Sequence, residues 1–231
     1  MAITLLSVLP PMSSASLLSS DILSKGKQVF VPKGNMMPES IGRPVSALYY
    51  VQEGLLRTFR SSFCGDRKTL HLIGRGYFIF ESYFLNGQPL QLDCSVVRDL
   101  TLVRFDSSIA HELMEKNTNF LQHLLKGVAL KMHLMGAELA SMAYDKPLTR
   151  LKLCLASLES LEQNKGANVR ISQMELAEIM GMHRVSVGRL LTQLQNSGEI
   201  EVHRGSIRLN ESFFAGETLQ NWQLLGAMGK N

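Results

Sequence analysis

SQMELAEIMGMHRVSVGRLLTQLQNSGEIEVHRGSIRL, residues 172–209, carries the clearest structural pattern in this chain. Ser172 and Glu175 form an S-x-x-E capping box, which begins a helix by satisfying its first free N–H groups. Gly198 marks the end of a second helix. The runs EIEV and SIRL then alternate apolar and polar residues around a turn at 203–205. The stretch therefore predicts two helices followed by a β-hairpin.

The spacing inside this stretch is typical of a helix-turn-helix. Ala177 is small where a second helix crosses closely, and Gly181 suits a turn whose backbone conformation side chains disfavour. Val187 and Leu190 are expected to face the core from the second helix. A helical hairpin of purely structural use is the alternative. The helices and the hairpin occur in the order of a winged DNA-binding domain, so DNA binding is the better interpretation.

In this geometry the outward residues at the start of the second helix enter the major groove. Arginine can contact guanine O6 and N7 or a phosphate, whereas Val185 offers only apolar contact, best suited to a thymine methyl group. No acidic residue occurs between Glu178 and Glu199, so this local face is positive. The predicted DNA-binding residues are His183, Arg184, Val185, Ser186, Arg189, Ser172 and Arg204.

The composition is that of a globular chain of 231 residues, 45% hydrophobic and 19% charged, with a net charge of +4. That charge is compatible with a polyanionic partner but does not locate a site. No basic region precedes the N-terminal apolar run, and no stretch has the roughly 20 apolar residues needed to cross a bilayer. Three scattered cysteines favour a reducing compartment and free thiols. We therefore expect a cytoplasmic protein without a membrane partner.

Residues 25–105 are predicted to form an all-β unit. Six short apolar runs alternate with turn residues: QVFV, ALYYVQ, LLRTFR, TLHLI, LDCSVV and LTLVRF. This spacing favours a sandwich or small barrel, and FCGDRK, with Gly65-Asp66, predicts a hairpin tip.

Asp106-Ser107-Ser108 can cap a short helix through about Met114, and Asn117-Thr118 can cap a much longer one to about Tyr144. Along the long helix, apolar residues recur at alternating spacings of four and three, the a/d seam of a coiled coil, which favours a homodimer over a buried helix in a monomer. The predicted dimerisation residues are Leu121, Leu125, Val128, Met132, Met135, Leu139 and Met142. A second apolar line could lie against the β unit: Phe120, Leu124, Leu134 and Ala137. Pro147 interrupts the pattern and predicts a hinge.

The predicted fold class is α+β, with an N-terminal β-roll or jelly-roll domain, a long dimerisation helix and a C-terminal winged helix-turn-helix. The predicted domains are an effector-sensing domain over 1–118, the dimerisation helix and hinge over 119–146, and a DNA-binding domain over 147–231.

From about Lys25 to Leu209 the chain resembles the CRP/FNR family of bacterial transcription regulators. The specific segments are MELAEIMGMHRVSVGRLLTQL and the run ALYYVQEGLLRTF…GRGYFIFES. The resemblance implies a homodimer that binds a palindromic site on double-stranded DNA and recruits or blocks RNA polymerase according to its effector. It implies no enzymatic activity.

Departures from the family pattern bear on specificity and on the effector. Many members carry a glutamate where this chain has Val185, and that glutamate contacts a C·G pair; we expect an A·T preference here. Glu81 matches the family's ribose-binding glutamate, but Asp93-Cys94 stands where the phosphate-binding Arg-Ser pair belongs, which argues against cyclic AMP. No N-terminal cysteine cluster is present for the iron–sulfur centre of the FNR branch.

A small organic or aromatic effector is therefore preferred, and the recognition helix weakly resembles those of regulators that sense halogenated aromatics. The residues predicted to line its pocket are Tyr77, Phe80, Glu81, Tyr83, Phe84, Leu92, Cys94, Leu124, Val128 and Met132. A haem-based gas or redox sensor is the alternative, with axial ligands among methionines, His71, His111, His123 and His133. A thiol switch also stays open. A cupin-like metalloenzyme is disfavoured because the β unit contains a single histidine, and no metal site is predicted.

Overall fold

The computed structural model describes residues 8–9, 12, 17–37, 39, 41–161 and 168–215. These residues form two compact units. One contains the described residues of 11–65 and 70–133, and the other contains those of 1–10, 66–69 and 134–231. The elements of the N-terminal half are α1 (Ser20–Leu23), β1 (Lys27–Val31), β2 (Ala47–Ser61), β3 (Arg67–Ile73), β4 (Phe78–Ile79), α2 (Glu81–Asn86), β5 (Asp93–Asp106) and α3 (Ser107–Lys116). Those that follow are α4 (Thr118–Tyr144), α5 (Pro147–Glu159), β6 (Asn168–Val169), α6 (Gln173–Met180), α7 (Arg184–Asn196), β7 (Ile200–His203), β8 (Ser206–Leu209) and α8 (Glu211–Phe214).

The large sheet has the strand order β1-β5-β2-β3, with β4 paired to β2. Four of the six predicted runs merge: ALYYVQ and LLRTFR are both part of β2, and LDCSVV and LTLVRF both contribute to β5. The six apolar runs therefore correspond to four strands of this sheet, β1, β2, β3 and β5. Gly54 explains the continuity of β2, because it has a φ of +99° and a Cβ there would lie 2.2 Å from the Asp99 carbonyl oxygen. Gly54 thus bends β2 across β5 through local register shifts instead of ending it. The predicted hairpin tip lies between the end of β2 and the start of β3.

An aromatic cluster attaches the first half of α4 to this sheet. The Phe120 ring of α4 lies edge-on to Phe78 and Phe105, with centroids 5.2 and 5.5 Å apart. Tyr50 packs against Phe78 in the same way at 5.4 Å. These rings are almost fully buried. Edge-to-face pairs add directional preference to the area they bury, so the cluster sets the position of α4 on the sheet.

Helix α4 presents two different faces, as its sequence predicts. Phe120, Leu124 and Leu134 are buried on the inner face, and Ala137 is half-buried. On the outer face five large apolar side chains are exposed and form the apolar stripe of α4: Leu125, Met132, Met135, Leu139 and Met142. Leu121 and Val128, also predicted for the seam, are half-buried at its edge.

In the C-terminal unit, the apolar side chains of α5 form the core with α6, α7 and a small sheet of order β6-β8-β7. Helix α4 ends at Tyr144, and α5 begins at Pro147. Lys146 between them has an extended backbone, as expected before a proline. The predicted break between the helices is confirmed. Every helix in the described part of the chain is too short or too polar to cross a bilayer.

Candidate nucleic-acid interface and sensor site

Helix α6 begins with the predicted capping box. Ser172 Oγ accepts a hydrogen bond from the Glu175 amide at 3.2 Å. Glu175 Oε2 accepts hydrogen bonds from the Ser172 amide at 2.9 Å and from its hydroxyl at 2.7 Å. The Ser172 hydroxyl therefore already acts as donor and acceptor within the cap, and its predicted DNA contact stays a prediction.

The turn between α6 and α7 depends on Gly181. This residue has φ +64° and ψ 42°, the left-handed conformation that glycine adopts without strain. The next amide, that of Met182, donates to the Ala177 carbonyl at 3.1 Å and closes the end of α6. His183 is extended as the N-cap of α7, and its side chain makes no cap hydrogen bond.

Helix α7 buries one face and leaves the other free. Val187, Leu191 and Leu194 are buried. Leu190, which the sequence placed in the core, is only half-buried. A step of four residues turns the helix by about 400°, so Leu191 lies closer than Leu190 to the direction of Val187.

The predicted groove-reading residues lie outside this buried face. His183, Arg184, Val185 and Arg189 are exposed, and Ser186 is half-buried. Val185 is 66% exposed, and it follows Arg184 directly and precedes Arg189 by one helical turn. This face offers donors for guanine or phosphate oxygens together with one apolar contact.

The hairpin β7–β8 forms the predicted wing, with Arg204 exposed at its tip. Glu201 lies 3.5 Å from His203 Nε2 and 3.8 Å from Arg208 Nη1, so it balances part of the positive charge there. Arg208 and Arg170 are further exposed basic residues on this side of the small sheet, which the sequence reasoning missed. Side chains alternate between the two faces of a strand, so in SIRL the exposed Arg208 lies on the other face from the buried Ile207. This alternation is the signal from which Arg208 could have been predicted.

The predicted effector residues do not all come together. Tyr77, Phe80, Glu81, Phe84, Cys94 and Leu124 are buried in the sheet-containing unit. Tyr83, Leu92 and Val128 are half-buried. Met132 is 70% exposed on the outer face of α4, so the structure places it on the apolar stripe and away from the buried residues.

A buried ion pair lies where the effector was expected. Lys131 Nζ of α4 is 2.7 Å from Glu81 Oε1 and donates to the Phe78 carbonyl at 2.7 Å. Both side chains are almost fully buried. The sequence reasoning missed Lys131, although it follows Leu124 by seven residues and so shares the inner face of the helix. The pair satisfies the carboxylate of Glu81 without any ligand.

Charge around Cys94 is predominantly negative. Burial raises the pKa of the Cys94 thiol far above its usual range; the carboxylates of Asp93 and Glu39 raise it further, and Lys131 lowers it. The thiol therefore stays protonated and poorly nucleophilic at neutral pH. Glu39 also accepts a hydrogen bond from the Tyr49 hydroxyl, and burial followed by that bond raises the pKa of Tyr49 to about 12.

Phe80, next to Glu81, has the unusual backbone of this region. It has a φ of +62°, the sole positive value among the described residues other than glycine. Such strain in a bulky residue costs of order 1–3 kcal/mol and is often found at ligand sites. Phe80 also packs edge-on against Tyr49 at 6.2 Å.

The histidines proposed as haem ligands lie on different elements. His123 Nε2 is 2.6 Å from the Gly76 carbonyl, and His111 Nδ1 is 2.7 Å from the Ser107 carbonyl. His133 is exposed on α4, and His71 lies on β3. Within the described ranges no three His, Cys, Asp or Glu side chains form a group able to hold a metal ion.

Comparison with known proteins agrees with this arrangement. A cyclic nucleotide-binding domain model matches residues 40–117, and a Crp-like helix-turn-helix model matches residues 149–211. The chain is 26% identical over 166 residues to the cyclic AMP receptor protein of Thermus thermophilus, covering 72% of this chain and 76% of that protein.

Solved structures have the same fold. A CRP/FNR-family transcriptional regulator from Thermus thermophilus has a TM-score of 0.71 at 20% identity, covering 87% of this chain and 98% of that one. The c-di-GMP responsive regulator CLP of Xanthomonas campestris has a TM-score of 0.71 at 18% identity, with coverages of 81% and 95%. Family and fold are those of transcription regulators and not of enzymes, and the predicted α+β class is confirmed. This chain belongs to the CRP/FNR family of DNA-binding transcription regulators.

Proposed function

We propose that the chain acts as a homodimer on a palindromic DNA site, under the control of an effector other than cyclic AMP. The observation that carries the proposal is the exposed start of α7, where two arginines flank an exposed valine on a capped helix-turn-helix. The proposed organisation is a sensor over 1–118, a dimer helix and hinge over 119–146, and a DNA-binding domain over 147–231. The protein would act in the cytoplasm and communicate with RNA polymerase as its family does.

The exposed stripe of α4 supports the dimer. Its residues follow the seam of a two-stranded coiled coil, and the spacing is unbroken from Leu125 to Met142. Large apolar side chains along one helix face mark an interface, because a single chain leaves them in water. A second copy of α4 buries the same stripe by symmetry.

Two-fold symmetry leads to a palindrome. Two α7 helices related by a dyad can enter successive major grooves, about 34 Å apart. Arg184 and Arg189 are available for guanine or phosphate, and Val185 for a thymine methyl group. Since Val185 cannot accept a hydrogen bond from cytosine, we propose an A·T pair at the position that relatives with glutamate read as C·G.

The sensor site argues for a ligand unlike a cyclic nucleotide phosphate. Asp93 and Glu39 act on Cys94, and Glu81 already has Lys131 as its partner. A phosphate would meet carboxylates and would have to compete for a single lysine. Buried Tyr77, Phe80 and Phe84 instead favour a small aromatic or other organic ligand, whose polar group would exchange with the Glu81–Lys131 pair.

The proposed control is a shift between two populations of the dimer. The break at 144–147, with Lys146 extended and Pro147 starting α5, is the proposed hinge for the DNA-binding domain. An effector shifts the equilibrium only by binding the DNA-competent state more tightly than the other state.

Selection of sites from random DNA, followed by titration at two salt concentrations, tests the proposal. We expect an enriched palindrome with A·T at the stated position and a steep salt dependence from phosphate contacts. Arg189→Met should lose specific binding, whereas Lys116→Met, which removes an exposed charge from α3, should not. Recovery of no palindrome, or the same affinity for all sequences, contradicts the proposal.

Two further measurements separate the effector classes. Cyclic AMP should leave the DNA affinity unchanged, and a nucleotide-dependent gain would overturn our interpretation of Asp93. An anaerobic UV–visible spectrum of the purified protein should lack an intense haem band; such a band would establish the haem-sensing alternative instead.

A further inference from the structure

Lys68, near the start of β3, makes three polar contacts that the DNA-reading surface does not explain. Its Nζ is 2.5 Å from Glu138 Oε1 on α4 and donates to the Ile179 carbonyl on α6 at 2.7 Å. It also donates to the Thr69 carbonyl at 2.9 Å. An ammonium group has three N–H donors, so these acceptors use its full capacity. Lys68, Glu138 and Ile179 all belong to the C-terminal compact unit.

The contact with Ile179 falls at the end of the first helix of the helix-turn-helix. The last four carbonyls of a helix have no partner inside it and carry the negative end of the helix dipole. Ile179 and Met180 are the final two residues of α6. Lys68 donates to the first carbonyl, and Arg150 Nη2 donates to the second at 2.9 Å. Two cations therefore hold adjacent free carbonyls just before the turn into α7.

The aliphatic part of Lys68 also packs on that turn. A Cβ added at Gly181 would lie 3.0 Å from Lys68 Cδ and 3.3 Å from Cε. Gly181 adopts the left-handed conformation that ends α6, and α7 begins three residues later at Arg184. Lys68 thus touches the end of α6 through its ammonium group and the turn through its methylenes.

We propose that Lys68 is a positioning residue for the DNA-reading helix, because its contacts hold the end of α6 and the turn between α6 and α7 in place. Glu138 holds the ammonium group in place from α4, and the Ile179 carbonyl receives it. The effect on DNA rests on the proposed function, whereas the effect on the turn does not.

Lys68→Met keeps the length of the side chain and removes its donors. We expect specific DNA affinity to fall roughly 5- to 20-fold, at the lower end of the usual range for coupling between sites. The slope of log affinity against log salt should not change, because Lys68 has no proposed phosphate contact. Lys68→Arg should restore most of the affinity. Glu138→Gln, which keeps an acceptor but removes its charge, should have a smaller effect.

Amide hydrogen exchange of the dimer in the absence of DNA gives an independent measurement. The amides of Gly181 and Met182, which donate to the Ala177 carbonyl, should exchange several-fold faster in Lys68→Met. Lys116→Met, which removes a cation from an exposed ion pair on α3, should leave both affinity and exchange unchanged. If Lys68→Met does not fold, Glu138→Gln carries both measurements.

The two proposals fail in different ways. Wild-type affinity and wild-type exchange in Lys68→Met and Glu138→Gln would overturn the positioning role. Loss of affinity with a changed salt slope would overturn it too, since it would place Lys68 on the phosphate backbone. If the wild-type protein selects no DNA site while Lys68→Met shows the predicted faster exchange, the proposed function is refuted and the capping role of Lys68 is supported.

Discussion

Leu139 offers a direct test of the proposed dimer seam. The side chain is 71% exposed in the single chain. Full burial of a leucine side chain contributes about 1.5–3 kcal/mol, so covering the exposed part contributes roughly 1–2 kcal/mol in each protomer. In a symmetric dimer both protomers lose this burial free energy, so Leu139→Ala should weaken association by roughly 2–4 kcal/mol. The dimer dissociation constant should rise about 30- to 1,000-fold.

Sedimentation equilibrium over a range of protein concentrations measures this change. Leu85→Ala is the matched control, because Leu85 is also a large exposed apolar residue but lies on α2, away from the stripe. Specific DNA binding of Leu139→Ala should become strongly dependent on protein concentration, since two α7 helices must engage together. Unchanged dimer affinity in Leu139→Ala, or tight specific binding by a monomer, would refute the reasoning.

Three further predictions concern other parts of the chain. Val185→Glu should move the half-site preference towards C·G by about 1–3 kcal/mol in competitive binding, because a carboxylate accepts from cytosine N4; an unchanged preference would count against the proposed register of α7. Lys131→Met should lower the free energy of unfolding in urea by about 3–5 kcal/mol by leaving Glu81 buried without its partner, and adding Glu81→Gln should recover part of the loss; a near-neutral single variant would contradict the buried pair. Burial raises the pKa of Cys154 from 9.0 to about 12. Above pH 9 the unfolded chain therefore loses a proton that the folded chain keeps, and the unfolding free energy should fall by up to about 1.4 kcal/mol per pH unit until about pH 12, a slope that Cys154→Ala should reduce.

The helix-turn-helix was predictable because its signals are local. The capping box of Ser172 and Glu175, the left-handed Gly181 and the apolar spacing of α7 all act within one or two helical turns. The two faces of α4 were predictable for the same reason, since helical periodicity alone separates them. Leu190 is only half-buried because it lies about 60° from the direction of Val187, at the edge of the buried face of α7.

The sheet was less predictable. An apolar run interrupted by Gly54 has the same pattern whether the chain turns back or bends and continues. Pairing decides between these outcomes, because the close approach of Gly54 to Asp99 involves residues 45 positions apart. The apolar runs by themselves therefore do not show that ALYYVQ and LLRTFR form one strand.

The sequence by itself determined the family, the order of β unit, long helix and helix-turn-helix, the exposed residues at the start of α7 and the apolar stripe of α4. Each depends on spacing within one element or on motifs of a few residues. Only the tertiary structure decided that Lys131 neutralises Glu81, 50 residues away, and that Lys68 caps α6, 111 residues away. Such partnerships need two distant segments to bring a cation and an acceptor into hydrogen-bond contact. No local pattern specifies them, because the sequence around a lysine does not tell whether its ammonium group is exposed to water or buried against a distant acceptor.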